Sequence, residues 1–146
     1  MAKYQQGIYP LTNPQKYRGD PTKVVFRSSW EFHLMRRFDN SDQVLEWSSE
    51  EIQVAYRSPK DNKIHRYFPD FLIKMRNTKG IVETIMIEVK PLKETKPPQI
   101  KKKATKGYLN EVVTYGVNQA KWKAADEYCK KRGWTFQVMT ELEVFI

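Results

Sequence analysis

The sequence predicts one domain of the α/β (α+β) class, in which helices flank a central mixed sheet of four to five strands. Three observations support this prediction. A short helical pattern precedes a series of strand patterns. A long helical pattern and one more strand then follow. The chain has 146 residues, of which 40% are hydrophobic and 13% aromatic, enough to bury one core without metal or disulfide support.

We expect the domain to span residues 23–146, after an N-terminal arm at residues 1–22. The arm contains Pro10, Pro14 and Pro21 and shows little apolar periodicity. These features predict a segment that wraps over the domain or is partly loose.

The first helix is predicted to begin at Ser28 and Ser29, which are good N-cap residues, and to end near Asn40. Apolar runs then predict four strands, at Val44–Trp47, Ile52–Tyr56, Arg66–Met75 and Ile81–Val89. Turn residues at 58–62 and 76–80 separate the second strand from the third and the third from the fourth.

The long helical pattern lies in the last third of the chain. Its apolar residues recur three or four positions apart and predict one buried stripe. They are Leu109, Val112, Val113, Val117, Ala120, Ala124 and Tyr128. The run 130–133, three cations and a glycine, is typical of a helix end. A strand at 134–139 and a short closing element at 141–146 are expected after it.

The charge of the chain indicates a polyanionic partner. Lys plus Arg total 26 against 17 Asp plus Glu, which gives a net charge of +9. Such an excess favours a phosphate backbone, because binding releases counterions; the alternative is a basic but merely well-solvated surface. Lysines concentrate at residues 90–106, where Glu94 is the one acid. The candidate DNA contacts in this basic loop are Lys93, Lys96, Lys101, Lys102, Lys103 and Lys106.

The cysteine content and hydropathy predict a soluble cytoplasmic protein with no membrane partner. Cys129 has no second cysteine with which to form an internal disulfide, as is usual in a reducing compartment. No apolar run approaches the roughly 18 residues that a membrane span needs, and no signal peptide is recognisable at the start of the sequence.

The hairpin between the third and fourth strands predicts a cluster of charged residues. If residues 78–80 form a three-residue loop, Asn77 pairs with Ile81, and Asp70 then lies opposite Glu88. Side chains alternate along a strand, so Glu88 and Lys90 share a face. A two-residue loop would shift the register by one and separate the three charges.

Two carboxylates that face each other repel, and a divalent cation would relieve that repulsion. Mg²⁺ prefers oxygen ligands, commonly one or two carboxylates together with water and substrate phosphate. We therefore expect Asp70 and Glu88 to be metal ligands and Lys90 to assist the attacking water or the phosphate. The alternative is that Asp70 and Lys90 cap strand ends and Glu88 pairs with a neighbouring lysine.

These motifs carry a resemblance to a known family. A helix with Glu31, Pro69-Asp70 on one strand, Glu88-Val89-Lys90 on the next and a long helix after them resemble the PD-(D/E)XK nuclease superfamily of restriction-endonuclease-like proteins. The runs 26–31 and 67–71 are similar to the nuclease subunit of Tn7-type transposases, although that subunit has Gln where this chain has Glu88. Together with the opening residues 1–4, they are more similar still to the head completion proteins of T4-like phages.

The resemblance implies a DNA endonuclease that uses Mg²⁺, with Mn²⁺ as a substitute, and has little sequence specificity. It also implies a role in phage head completion or DNA packaging, with head, portal or neck proteins as partners. The protein would act in the host cytoplasm during assembly or in the virion head. Two alternatives are a non-catalytic DNA-binding plug or adaptor that retains the nuclease fold, and a sequence-specific DNA-binding module.

Three further positions have competing interpretations. Glu31 resembles the helix acid that joins the metal and catalytic set in such nucleases, but Ser28 and Glu31 also have the spacing of a capping box. Gln119 resembles the catalytic helix glutamine of related exonucleases, or is a solvated helix residue. His65 and Arg66 precede the Asp70 motif and either contact DNA phosphate or lie there incidentally.

Overall fold

The computed structural model describes residues 6–145 and has a mixed four-stranded sheet at its centre. The strands, in sheet order, are β3 (Val44–Ser49), β6 (Phe71–Arg76), β7 (Val82–Val89) and β8 (Thr135–Met139). β6 is antiparallel to β3 and β7, and β8 is parallel to β7. The predicted fold class, with a mixed sheet flanked by helices, is confirmed.

Two smaller hairpins and three helices surround this sheet. The hairpins pair β1 (Gly7–Ile8) with β2 (Val25–Phe26), and β4 (Val54–Arg57) with β5 (Ile64–Tyr67). The helices are α1 (Ser29–Asn40), α2 (Lys106–Lys130) and α3 (Glu141–Val144), and short 3₁₀ turns occupy Pro14–Lys16 and Leu92–Thr95. Within residues 6–145, no helix is both long enough and apolar enough to span a bilayer.

The prediction of one strand over Arg66–Met75 is wrong. The segment forms two strands, β5 and β6, which belong to different sheets and are separated by Phe68, Pro69 and Asp70. Proline has no N–H to donate to a ladder, so a strand tends to break where Pro69 stands. Because the break precedes Asp70, this carboxylate lies at the entry of β6.

The predicted register of the β6–β7 hairpin is confirmed. The Asn77 amide donates to the Ile81 carbonyl at 2.8 Å, and Phe71 pairs with Ile87. Side chains of β7 alternate between two cores. Ile85, Ile87 and Val89 face the α1 side, while Met86 faces the α2 side. The register therefore places Asp70 and Glu88 at the same end of the hairpin.

The apolar stripe predicted for α2 is only half correct. Leu109, Val112 and Val113 remain 50%, 44% and 42% exposed, whereas Ala125 and Cys129 are fully buried. The reason is geometric, because α2 packs on β4 and β8 with its C-terminal part, and its first half extends beyond them. Packing of the helix begins near Val117.

The arm is packed onto the α1 side of the sheet from residue 7 onward; Met1–Gln5 lie outside the described residues, as does Ile146 of the closing element. Tyr9 and Tyr17 are 4% and 5% exposed and contact Trp47 edge to face. The buried Asp39 side chain accepts hydrogen bonds from the Tyr9 hydroxyl at 3.0 Å and from the amides of Thr12 and Asn13 at 2.7 and 3.1 Å. One carboxylate of α1 thus holds the arm.

Replacing Asp39 by Ala should lower the free energy of unfolding by about 2–4 kcal/mol, because it leaves the buried Tyr9 hydroxyl and two partly buried amides without their acceptor. Urea denaturation measures this loss, and limited proteolysis should show faster cleavage within the arm. Asp42→Ala removes an exposed carboxylate three residues later and should change stability by less than about 0.5 kcal/mol. Equal losses in the two variants would contradict the assignment.

Candidate active site

Asp70 and Glu88 are held side by side by the backbone around them. The Asp70 Oδ2 atom accepts a hydrogen bond from the Val89 amide at 2.7 Å, which ties the carboxylate to the end of β7. Glu88 is 7% exposed, and its Oε1 atom accepts from the Tyr67 hydroxyl at 2.6 Å. These two bonds leave one oxygen of each carboxylate, Asp70 Oδ1 and Glu88 Oε2, outside them.

Lys90 completes the group at the same strand end. Its amide donates to the Met139 carbonyl on β8 at 2.9 Å, and its ammonium lies 3.8 Å from Glu88 Oε2. The lysine side chain is 28% exposed, so it reaches from the buried carboxylate toward solvent. The structure therefore brings Asp70, Glu88 and Lys90 together, as their spacing in the sequence predicted.

The carboxylates repel each other in a poorly hydrated setting. Burial raises the pKa of Asp70 well above its ordinary value, and the negative charge of Glu88 raises it further. Burial also raises the pKa of Glu88, although the Tyr67 hydrogen bond and the Lys90 charge act in the opposite direction. An electropositive group between them would lower both pKa values.

Glu31 lies near the pair but is engaged elsewhere. The Ser28 hydroxyl caps α1 by accepting from the Glu31 amide at 3.2 Å, and the Glu31 carboxylate accepts from the Arg27 amide at 3.2 Å. Burial raises the pKa of Glu31, and the charge of Glu31 contributes to the raised pKa of Asp70. The side chain thus takes part in an arrangement close to a capping box, within electrostatic range of Asp70.

The donor set fits a hard divalent cation with two protein ligands. Among residues 6–145, no group of three or more His, Cys, Asp or Glu side chains converges on one point, and the role of Glu31 as a metal ligand stays a prediction. Asp70 Oδ1 and Glu88 Oε2 nevertheless lie outside the hydrogen bonds from the Val89 amide and the Tyr67 hydroxyl. Two carboxylates, with water and substrate phosphate completing the shell, are a usual Mg²⁺ environment.

Two residues beside the pair were not predicted from the sequence. Tyr67 donates to Glu88, and Lys121 of α2 places its ammonium 5.6 Å from the centre of the Tyr67 ring. The charge of Lys121 lowers the pKa of Glu88 against the effect of burial. A signal for Lys121 was present, because this cation lies four residues from both Val117 and Ala125 on the buried side of α2.

Arg27 and Glu50 also support the site, and the sequence did not predict their role. Glu50 has a positive φ of 55°, and its amide donates to the Asp70 carbonyl at 3.1 Å. Its carboxylate accepts from two nitrogens of the Arg27 guanidinium, at 3.0–3.3 Å. Left-handed backbone in a residue other than glycine is costly and is often found at functional sites. Here it supports the backbone that carries Asp70.

The remaining predicted residues are exposed at the surface. Gln119 is exposed on α2, while its neighbour Asn118 is buried. His65 and Arg66 are exposed on β5, where the His65 Nε2 atom lies 2.8 Å from Asp61 Oδ2. All six lysines of the basic loop are exposed: Lys93, Lys96, Lys101, Lys102, Lys103 and Lys106. The loop joins β7 to α2, so it begins beside Lys90.

Two comparisons with known proteins identify the family of the chain. Residues 41–141 match the family described as TnsA-like endonuclease N terminal, a span that includes Asp70, Glu88 and Lys90. The chain is also 39% identical over 139 residues to the head completion nuclease of Enterobacteria phage T4, covering 92% of this chain and 90% of that protein. With the mixed sheet and the paired carboxylates, these matches show that the chain belongs to the TnsA-like endonuclease family.

Proposed function

We propose that this protein is a divalent-metal-dependent endonuclease that hydrolyses DNA phosphodiester bonds with little sequence specificity. The observation that supports the proposal most strongly is the pair of neighbouring carboxylates, Asp70 and Glu88, with Lys90 beside it at the end of β7. Membership of an endonuclease family agrees with this chemistry.

The roles of the residues follow from their geometry. Asp70 and Glu88 would hold Mg²⁺ through the oxygens that the Val89 amide and the Tyr67 hydroxyl leave free. Mg²⁺, or Mn²⁺ in its place, supplies Lewis acidity and a bound water of lowered pKa. Lys90 directs a positive charge toward the position where negative charge develops at phosphorus. Tyr67 and the Val89 amide keep the two carboxylates from turning away.

Contacts to the backbone of DNA account for low sequence specificity. The basic loop presents lysines beside the site, and a net charge of +9 favours any polyphosphate. Arg66, exposed on β5, is a further candidate for such a contact. Contacts of this kind orient DNA but carry no sequence information.

The biological setting is proposed from the phage relative. The similar protein of phage T4 is a head completion nuclease. We accordingly place this chain in phage head completion, with head, portal or neck proteins as partners. It would act in the host cytoplasm during assembly and could accompany the virion head.

Purified protein should nick or linearise supercoiled plasmid in Mg²⁺ or Mn²⁺, and EDTA should abolish cleavage. Lys90→Ala should reduce the rate by at least about a hundredfold, because one electrostatic contact to the transition state is lost. Lys79→Ala removes an exposed lysine from the β6–β7 turn and serves as the matched control. DNA binding without cleavage in every metal would instead indicate the non-catalytic plug or adaptor.

Asp70→Asn should abolish cleavage and yet stabilise the metal-free protein. An amide removes the repulsion with Glu88 and can still accept from the Val89 amide. The raised pKa values of Asp70 and Glu88 mean that their contribution to stability is present at low pH and is lost as pH rises through the folded-state pKa values. The gain in melting temperature, roughly 2–5 °C per kcal/mol, should therefore be larger at pH 8 than at pH 5. A melting temperature below that of the wild type at pH 8 would count against the repulsion.

Mg²⁺ should raise the melting temperature of the wild-type protein, because a ligand of the folded state stabilises it by mass action. Protons compete with the metal for carboxylates of raised pKa, so the metal-induced shift should grow from pH 5 to pH 8. The Asp70→Asn variant should show little or no shift. Differential scanning fluorimetry at matched ionic strength measures the shift in melting temperature. An equal shift in both proteins would exclude Asp70 as a ligand.

A further inference from the structure

A cleft lies between the basic loop and the first half of α2. Its volume is about 780 Å³. Lys93, Lys96 and Lys101 line it from the loop, and Asn110, Tyr115 and Asn118 line it from the helix. We refer to it as the α2 cleft.

Both walls of the α2 cleft begin beside the catalytic pair. The loop wall starts with Lys93, three residues after Lys90. On the helix wall, the buried Asn118 lies one turn before Lys121, whose ammonium is 5.6 Å from the ring of Tyr67. Tyr67 in turn donates to Glu88. Each wall is therefore joined, within one turn or three residues of chain, to a residue that acts on the carboxylates: Lys90 on the loop side and Lys121 on the helix side.

The two walls suit the two sides of a nucleic acid strand: the loop wall suits the phosphates, and the helix wall suits the bases. Lysines on the loop can neutralise phosphates, and they outnumber the two acids that line the cleft, Glu94 and Glu111. The opposite wall offers amides for hydrogen bonds and the Tyr115 ring for stacking. A cationic groove that follows the backbone, with aromatic groups for the bases, is how proteins bind single strands.

The size of the cleft favours one strand over two. Its volume lies within the range of about 300–1,000 Å³ that is usual for small-ligand sites. A few unpaired nucleotides fit a space of this volume, whereas a duplex would also have to place its second strand and its paired bases there.

We infer that the α2 cleft binds a single DNA strand leading to the carboxylates, so that the substrate carries a single-stranded segment beside the scissile bond, as a branch, a gap or a frayed end does. The inference rests on the proposed nuclease function for its biological meaning. The strand site itself is testable without cleavage.

Binding is measured by fluorescence anisotropy in EDTA, with a labelled oligothymidylate of about 12 nucleotides and a duplex of the same length. Wild-type protein should bind the single strand more tightly than the duplex. The matched variants are Lys96→Ala/Lys101→Ala, which removes two cleft lysines, and Lys79→Ala/Lys131→Ala, which removes two exposed lysines that lie outside the basic loop and do not line the cleft.

The cleft variant should weaken single-strand binding by about tenfold and reduce the slope of log K against log salt by about 1.4. The control variant should change it by less than about twofold, although both lose the same charge. Tyr115→Leu should weaken binding by about fivefold or more, and Tyr115→Phe should restore it if the ring stacks on a base. Circular dichroism checks that each variant is folded.

Equal weakening by the two lysine pairs, or tighter binding of the duplex, would overturn the strand site. A site for another partner, such as an acidic protein segment, would show as single-strand binding that the cleft variants leave unchanged, which also refutes the inference. Because EDTA suppresses cleavage, these results do not depend on the proposed activity. Failure of the nuclease would appear separately, as intact plasmid in Mg²⁺.

Discussion

The pairing of β6 with β7 is the interaction on which the site depends. One register places Asp70 at the entry of β6 beside the end of β7, where the Val89 amide can bind its carboxylate. A shift by a single residue would turn every side chain of β7 to the other face. It would exchange Ile87 with Glu88 and lose both the α1-side core and the carboxylate pair. Core packing and catalytic geometry therefore constrain the same register.

The site contains unfavourable electrostatic interactions, and the stability of the surrounding fold compensates for them. Asp70 and Glu88 are both poorly hydrated and mutually repelling, and Glu50 adopts a left-handed backbone to support the Asp70 segment. Such features lower stability, and they persist where the rest of the structure over-determines them. Here the pairing of β6 with β7 holds the backbone of the site, and the Tyr67 hydroxyl holds the Glu88 carboxylate. A metal ion bound between the carboxylates would relieve part of the strain.

The two faces of the sheet have different roles: one forms the main core, and the other leaves space for substrate. On one face, α1 and the arm bury a large aromatic core around Trp47 and are tied together by Asp39. On the other face, α2 packs only with its C-terminal part, and its first half extends beyond the sheet beside the basic loop. That extension creates the cleft and leaves lysines free for phosphate. A helix packed along its whole length would have closed this space.

The sequence by itself determined the fold class, the N-cap of α1, the hairpin register and the grouping of Asp70, Glu88 and Lys90, because each follows from local patterns, spacing and turn length. Only the tertiary structure decided that β5 and β6 belong to different sheets, that the stripe of α2 is half exposed and that Glu31 engages the cap of α1. It also decided the neighbours Tyr67, Lys121 and Glu50, which reach the pair from segments distant in the chain. Periodicity tells which side of an element is apolar. Local patterns do not encode where the neighbouring element ends, because packing between distant segments sets that point.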